Sequence, residues 1–328
     1  MSKNVPILSR RAVLAGSALA AAAPGSLAQQ PAWPSRPVRI IIPFAASGGA
    51  DTFTRLMTEP LAAAFGQPFV VENRPGGGGV IGTDAAAKSA PDGHTLLMLT
   101  VTLTANETLM PNRPYVLLRD LAPVAAINVA YHALVVHPSI PARSLPALIA
   151  HLKANPGRVD YASSGPGTPY HIAGEVFAAM AGVELNHIPF RGSNEARTAI
   201  IAGQVPMMFD AIPTMREQIA GGRVIGIATT GPTRSALLPD LPPVAETLPG
   251  YEASIWLGLM APAATPRPII DRLNAEVGRI LSLPATREAQ ARAGAQPLVM
   301  SVDEFRIFLE ADVGRQREWI RMARITAG

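Results

Sequence analysis

"ENRPGGGGVIGTDA", residues 72–85, is the stretch on which the fold turns. Its Gly77, Gly79 and Gly82 fit G-x-G-x-x-G, the phosphate-cradling fingerprint of dinucleotide-binding folds. It follows a strand-like run, "PFVVE" (68–72), and opens a helix-like one, "TDAAAKSA" (83–90). A dinucleotide fold also needs an acid about twenty positions on, at the end of the next strand, to hold the ribose hydroxyls. Here that region reads "MLTVTLTAN" (98–106), and no acid follows until Glu107. Arg74-Pro75 lengthens the turn beyond a tight strand-to-helix connection. The stretch reads instead as a flexible or close-packed turn between strand and helix. No cofactor is expected.

Working outward, the same alternation fills most of the chain. "VRIIIP" (38–43) precedes "DTFTRLMTEPLAAAF" (51–65), and "TLLML" (95–99) closes a first block near Thr100. A second block at about 133–230 holds "VDYAS" (159–163), "HIAGEVFAAMAG" (171–182), "HIPF" (187–190), a helix from Asn194 and "VPMMFD" (205–210). These strand runs are continuously apolar, the pattern of parallel strands covered on both faces. The class is α/β. Two further segments, "LAPVAAINVAYHALVVHP" (121–138) and "YEASIWLGLMAP" (251–262), are too long and apolar to be surface loops. They read as strands running from one lobe into the other and back. The last stretch returns to the first lobe with helices at about 267–283 and from about 302, where Ser301 and Glu304 form a capping box. That gives lobe 1 at 29–130 and 254–328 and lobe 2 at 131–253, a hinged pair suited to closing on a ligand. Pro60 should kink or shorten the first helix.

Residues 1–28 read as a removable export signal. Arg10 and Arg11 precede the apolar run Ala12–Ala23, and "SLA" ends at Ala28. The arginine pair makes it similar to a twin-arginine signal. The apolar run is too short for a permanent membrane span. Cleavage would remove three basic residues and no acidic one, lowering the formal charge from +4 to +1. A nearly neutral chain has no field for nucleic acid or anionic lipid. With no cysteine, disulfides, thiolate metal sites and cysteine nucleophiles are excluded.

Several small-residue loops lead from strand to helix. "PFAASGGAD" (43–51) contains Phe44, Ser47, Gly48, Gly49 and Asp51; "SSGPGTPYH" (163–171) contains Ser164, Gly165, Thr168 and His171; "PFRGSNEA" (189–196) contains Phe190, Arg191 and Gly192. Such turns lie at the carboxyl ends of parallel strands, where open α/β folds bind ligands. Each feeds a helix N-terminus carrying roughly half a positive charge. Several of these facing one cleft would grip a carboxylate without lysine or arginine. His171 is a site residue by position or a satisfied structural histidine. Asp51 either caps its helix or faces the ligand. Asp210 ends its strand as a solvated group or cap, or meets a ligand ammonium or hydroxyl. Arg191 either pairs with a distal ligand carboxylate or forms a surface ion pair, and Phe44 and Phe190 wall the cleft or pack into the core.

Catalysis lacks support at this level. There is no G-x-S-x-G, and the six histidines form no H-x-x-x-H pair or acid cluster at ligand spacing. No metal site and no catalytic residue are expected.

Taken in order, "WPSRPVRIIIPFAASGGADTFTRLM", "GQPFVVENRPGGGGVIGTDAAAKSAPDGHTLL", "YASSGPGTPYHIAGEVF", "HIPFRGSNEA", "GQVPMMFD" and "IWLGLMAPAATPRPIIDRLNAEV" resemble the Bug solute receptors of tripartite tricarboxylate transporters, across essentially the whole mature chain. The resemblance implies a type II periplasmic-binding-protein fold, two α/β lobes joined by two crossing strands around a ligand cleft. It implies a periplasmic, non-enzymatic monomer that binds a small carboxylate: a di- or tricarboxylate, an amino acid or an aromatic acid. It also implies delivery to the membrane permease subunits of such a transporter. The carboxylate would sit among Phe44, Ser47, Gly48, Gly49 and Asp51 of one lobe and Ser164, Gly165, Thr168, His171, Arg191, Gly192 and Asp210 of the other. Two departures stand out: Ala46-Ser47 where Pro-Gly is usual, and Glu195 where small apolar residues are common. The rivals are a receptor feeding a sensor pathway and an exported hydrolase or transferase on the same fold.

Overall fold

Three apolar runs rich in β-branched and leucine side chains form the first sheet: β1 (Val38–Ile42), β2 (Phe69–Asn73) and β3 (Thr95–Thr100). They are parallel, with Val38 opposite Phe69 and Arg39 opposite Thr95. Their crossovers are α1 (Gly49–Phe65) between β1 and β2, and α2 (Val80–Ala87) between β2 and β3. The structure, a computed structural model, describes Met1 and residues 33–46 and 48–326. The export segment expected at 1–28, past its first residue, and Ser47 lie outside the described residues.

α3 (Val101–Leu109) leaves β3 without a loop, and α4 (Leu117–Asp120) leads into β4 (Leu121–Val136). β4 is the backbone of the molecule. Its first part pairs antiparallel with β9 (Ser254–Pro262), from Leu121 opposite Pro262 to Tyr131 opposite Ser254. Its last part, His132–Val136, pairs antiparallel with β7 (Met207–Ala211) and with β8 (Ile225–Thr229). β7 continues through β5 (Asp160–Ser163) to β6 (Asn186–Pro189), all parallel. The strand order is β2-β1-β3-β9-β4-β7-β5-β6, with β8 and β10 (Ala295–Pro297) also on β4. The expected parallel pairing holds within each block, and the crossing strands add antiparallel pairs.

Alternate residues of each strand enter different cores, as a sheet covered on both faces requires. Val38, Ile40 and Ile42 pack with Met57 and Leu61 of α1 and Leu273 of α9 (Arg267–Ser282). Ile41, Leu97 and Leu99 face the other way, onto Trp256 and Phe305. In the second sheet Leu134 and Val136 meet Phe177 of α6 (Pro169–Ala181). Ala133 and Val135 meet Ala196 of α7 (Ser193–Ile201) and Met215 of α8 (Ile212–Ala220). α5 (Leu145–Ala154) and α10 (Pro284–Arg292) complete the layers.

α11 (Val302–Met322) carries the expected capping box, Ser301 accepting from the Glu304 N–H while the Glu304 carboxylate accepts from Ser301. The sequence assigns this helix wholly to the first lobe. In the structure Phe305 and Leu309 do pack there, but Trp319, Ile320 and Ile325 pack into the second lobe's core. Its 21 residues span about 30 Å, long enough to lie across both lobes. Pro60 does not shorten α1, which runs to Phe65 and ends on Gly66 in the left-handed conformation, φ 70°.

Strand direction places the site. β3 runs with β4, since both are antiparallel to β9, whereas β7 runs against β4. The carboxyl ends of β1 and β3 therefore point toward the second sheet, and those of β5, β6 and β7 point toward the first. Thr100 lies level, through Leu257, with Asn128 of β4, and Asp210 lies level with Ala133. Five residues of extended chain span about 17 Å, so the two sets of strand ends confront each other across a short gap.

Candidate ligand-binding site

On the first lobe, the loop from Pro43 delivers the chain to Gly48, the extended N-cap of α1 (φ −81°, ψ 173°), with no side-chain cap bond. The first-turn N–H groups of any helix have no intrahelical partner. A Cβ added to Gly49 would meet nothing within 4 Å among the described residues. That is open space in front of peptide donors. Asp51 is 5% exposed and is not an open ligand group. Its carboxylate takes Arg55 Nε at 2.9 Å and Nη2 at 3.1 Å, and Asn73 Nδ2 at 3.1 Å. The same Asn73 amide donates to the Phe44 carbonyl at 3.2 Å, tying the loop to the end of β2. Phe44 packs against both cores of its lobe.

The glycine turn is filled by the protein itself. Gly76 to Gly79 all have positive φ, from 56° to 132°, which only glycine adopts in succession. A Cβ on Gly78 would strike Met110 at 2.8 Å, one on Gly79 would strike Leu103 at 2.8 Å, and the Gly78 carbonyl accepts from Asn106 Nδ2 at 2.9 Å. A Cβ on Gly82 would meet the Pro43 backbone at 2.8 Å. The turn lets α2 press against the β1–α1 loop, and it offers a phosphate no cradle.

On the second lobe, Ser163 Oγ accepts from the Gly165 N–H at 3.1 Å and lies 2.6 Å from His187 Nε2. Thr168, the N-cap of α6, turns its hydroxyl back to the Gly165 carbonyl at 2.7 Å. His171 accepts from the Gly167 N–H through Nδ1 at 3.0 Å, so it is the neutral, Nε2-protonated tautomer that latches the loop. Its ring stacks on His187 at 4.1 Å, and His187 stacks in turn on Tyr161 at 4.9 Å. Burial, then the neighbouring His187, lowers the His171 pKa to about 4; burial also lowers His187. Of the loop's own donors, the Gly165, Gly167 and Thr168 N–H groups are engaged internally. Ser164 and Gly165 thus belong to a rigid loop whose shape His171 maintains.

At α7, Gly192 is the N-cap in fully extended conformation, and a Cβ there also meets nothing within 4 Å. Glu195 bends back to accept the Arg191 N–H at 3.3 Å, which makes it part of the helix start. The Arg191 side chain is exposed, and Phe190 packs on the core beneath. Asp210 is fully buried, and its Oδ2 accepts from Arg197 Nε at 2.9 Å and Nη2 at 2.8 Å. Burial raises the Asp210 pKa, and Arg197 opposes that shift. Tyr170, on the first turn of α6, completes the group, its hydroxyl facing Asp210 and Ser193. Asn73, Tyr170, His187 and Arg197 escape sequence reading, because their partners lie far away in the chain.

The Ser163–His187 pair is a nucleophile–base contact of the kind an exported hydrolase would need. Ser163 is fully buried, however, with its oxygen held by both the N–H and the carbonyl of Gly165. A nucleophile must reach its substrate. Elsewhere, a surface cavity of ≈ 410 Å³ on the first lobe is lined by Lys88 and Arg119. Asp84 and Asp120 already pair with these two. Among the described residues no group of three or more His, Cys, Asp or Glu side chains is placed to hold a metal ion. Among them, too, no helix is long and apolar enough to cross a membrane.

The sequence profile of the tripartite tricarboxylate transporter family receptors (TctC) fits residues 53–324. The chain belongs to that family. It is 38% identical over 297 residues to protein BugT of Bordetella pertussis, covering 90% of each chain. Among solved structures it is similar to R. palustris Rpa4515 with adipate, at 30% identity and a TM-score of 0.78, covering 90% of this chain and 99% of that one. It is likewise similar to MatC from Rhodopseudomonas palustris with bound malate, at 29% identity and a TM-score of 0.74, covering 88% and 99%. The fold is that of periplasmic solute-binding proteins: two α/β lobes around a cleft.

Proposed function

We propose that this chain is a periplasmic receptor that binds one small organic carboxylate between its lobes and delivers it to a tripartite-type membrane permease. Lobe 1 comprises 29–130 and 254–328, and lobe 2 comprises 131–253, with the end of α11 lying across both. The observation that carries this reading is the opposition of strand carboxyl ends at the β4 crossing, each leading to a helix start. One carboxylate of the ligand is held at Gly48 and Gly49, which Ser47 precedes in the sequence, where peptide donors face open space. Asp51 braces that loop from behind. Across the cleft the 163–168 loop, latched by His171, and the start of α7 at Arg191–Gly192 close over the ligand. Adipate and malate, bound by the two relatives, support a small carboxylate as the ligand class. Residues 1–28 direct export. No reaction is assigned, since the Ser163 oxygen that contacts His187 is buried.

Thermal-shift screening of the purified mature chain tests this reading, with adipate, malate, citrate, aspartate and benzoate. At a hundred times its dissociation constant the true class of ligand stabilises the fold by about 2.7 kcal/mol. No shift with any acid, or turnover of a panel of esters and amides, would overturn it.

A further inference from the structure

The second-lobe end of the cleft is built around a buried ion pair with capacity to spare. Asp210 has no exposed surface, and both contacts from Arg197 fall on its Oδ2. A third Arg197 donor, on Nη1, goes to Asn194 Oδ1 at 3.0 Å. A guanidinium carries five N–H donors. Among the described residues two therefore remain without a partner, on a side chain that keeps 19% of its surface exposed. Tyr170 fixes the group from above: its ring stands edge-on to the buried His132 at 4.8 Å, and its hydroxyl faces Asp210 and Ser193. Arg191 adds an exposed cation six residues earlier, just before the α7 N-cap. An ammonium arriving here would find the buried Asp210 already paired through its Oδ2, and a guanidinium beside it. A carboxylate would find two unused donors in a fork that fits it.

We infer that Arg197 is the specificity-determining residue of the site, and that the ligand is a dicarboxylate without an ammonium group. One carboxylate lies at the α1 start and the second meets the outer edge of the Arg197 guanidinium. This rests on the cleft proposed above. Asp210 holds the guanidinium in place and does not touch the ligand. Amino acids are refused by the distal end, although their carboxylate suits the proximal one.

Calorimetric titration with acids of matched length tests this: adipate, hexanoate and 6-aminohexanoate, then succinate, butyrate and 4-aminobutyrate. In the wild-type chain the dicarboxylate of the better-fitting length binds at least tenfold tighter than its monocarboxylate, and the amino acid binds weakest. Arg197→Gln lowers dicarboxylate affinity at least tenfold, leaves the monocarboxylate nearly unchanged and improves the amino acid, because Asp210 is then unpaired. The double variant Arg197→Gln/Asp210→Asn, which buries no charge, keeps the fold if the single variant does not. It binds dicarboxylate and monocarboxylate alike. Equal affinity of wild type for dicarboxylate and amino acid, or full dicarboxylate affinity in either folded variant, would overturn the inference while leaving the cleft intact. Absence of binding by every acid would instead remove the cleft reading beneath it.

Discussion

Gly49 is the position where, in the proposed binding mode, one atom group decides binding. Open space in front of it means that a side chain fits sterically, so a substitution there acts through charge. Gly49→Asp should abolish carboxylate binding by calorimetry with the melting temperature nearly unchanged; unchanged affinity would contradict the site. His171 links the second-lobe loop to pH. Its pKa in the folded chain is about 4, below the ordinary 6.5, so between those values the unfolded chain binds more protons. Its contribution is complete above pH 6.5 and is lost as pH falls toward 4, at no more than about 1.4 kcal/mol per pH unit. His171→Gln should flatten the fall of unfolding free energy between pH 6.5 and 4, as read by denaturant titration at several pH values. Identical slopes would show that the imidazole does not latch the loop. The loops were legible in the sequence as small-residue junctions. The roles within them were not: whether Asp51 caps or binds depends on Arg55 and on Asn73, which approaches from another strand. Whether Asp210 is free depends on Arg197, thirteen residues earlier.

Elements were easier to read than side-chain roles, because apolar runs and caps are local. The strands at 38–42, 69–73 and 95–100 and the long pair at 121–136 and 254–262 follow from continuous apolarity. The capping box at Ser301 and Glu304 marks the start of α11 to the residue. Ser301→Ala should cost about 1 kcal/mol of stability in denaturant unfolding, since it leaves a helix-start N–H without its acceptor. A change indistinguishable from zero would mean that packing of Phe305 and Leu309 alone positions that helix. The far end of α11 was not legible. Trp319 and Ile320 follow the same apolar spacing as Phe305 and Leu309, and spacing does not say which core receives them. Pro60 does not end α1 for a related reason: an interior proline removes one hydrogen bond, and burial of Met57, Leu61 and Phe65 holds the helix on either side of it.

At the scale of the whole molecule, the opposed strand ends are a consequence of β4. A strand of 16 residues that serves both sheets fixes their relative direction, and with it the facing of the helix starts. That the two lobes exist was legible from the repeated block and the two long strands. That their carboxyl ends face each other required the register of β3, β9, β4 and β7, which a sequence alone does not carry. The central claim is that backbone amides at helix starts, from two facing lobes, hold a small acid's carboxylate. A crystal structure of the mature chain with the tightest-binding dicarboxylate tests it most directly. The expected result is one carboxylate within hydrogen-bond distance of the Gly48–Gly49 amides and the second at Arg197 and the α7 start. An acid bound outside the cleft, or a proximal carboxylate held by lysine or arginine side chains instead of peptide groups, would contradict the account.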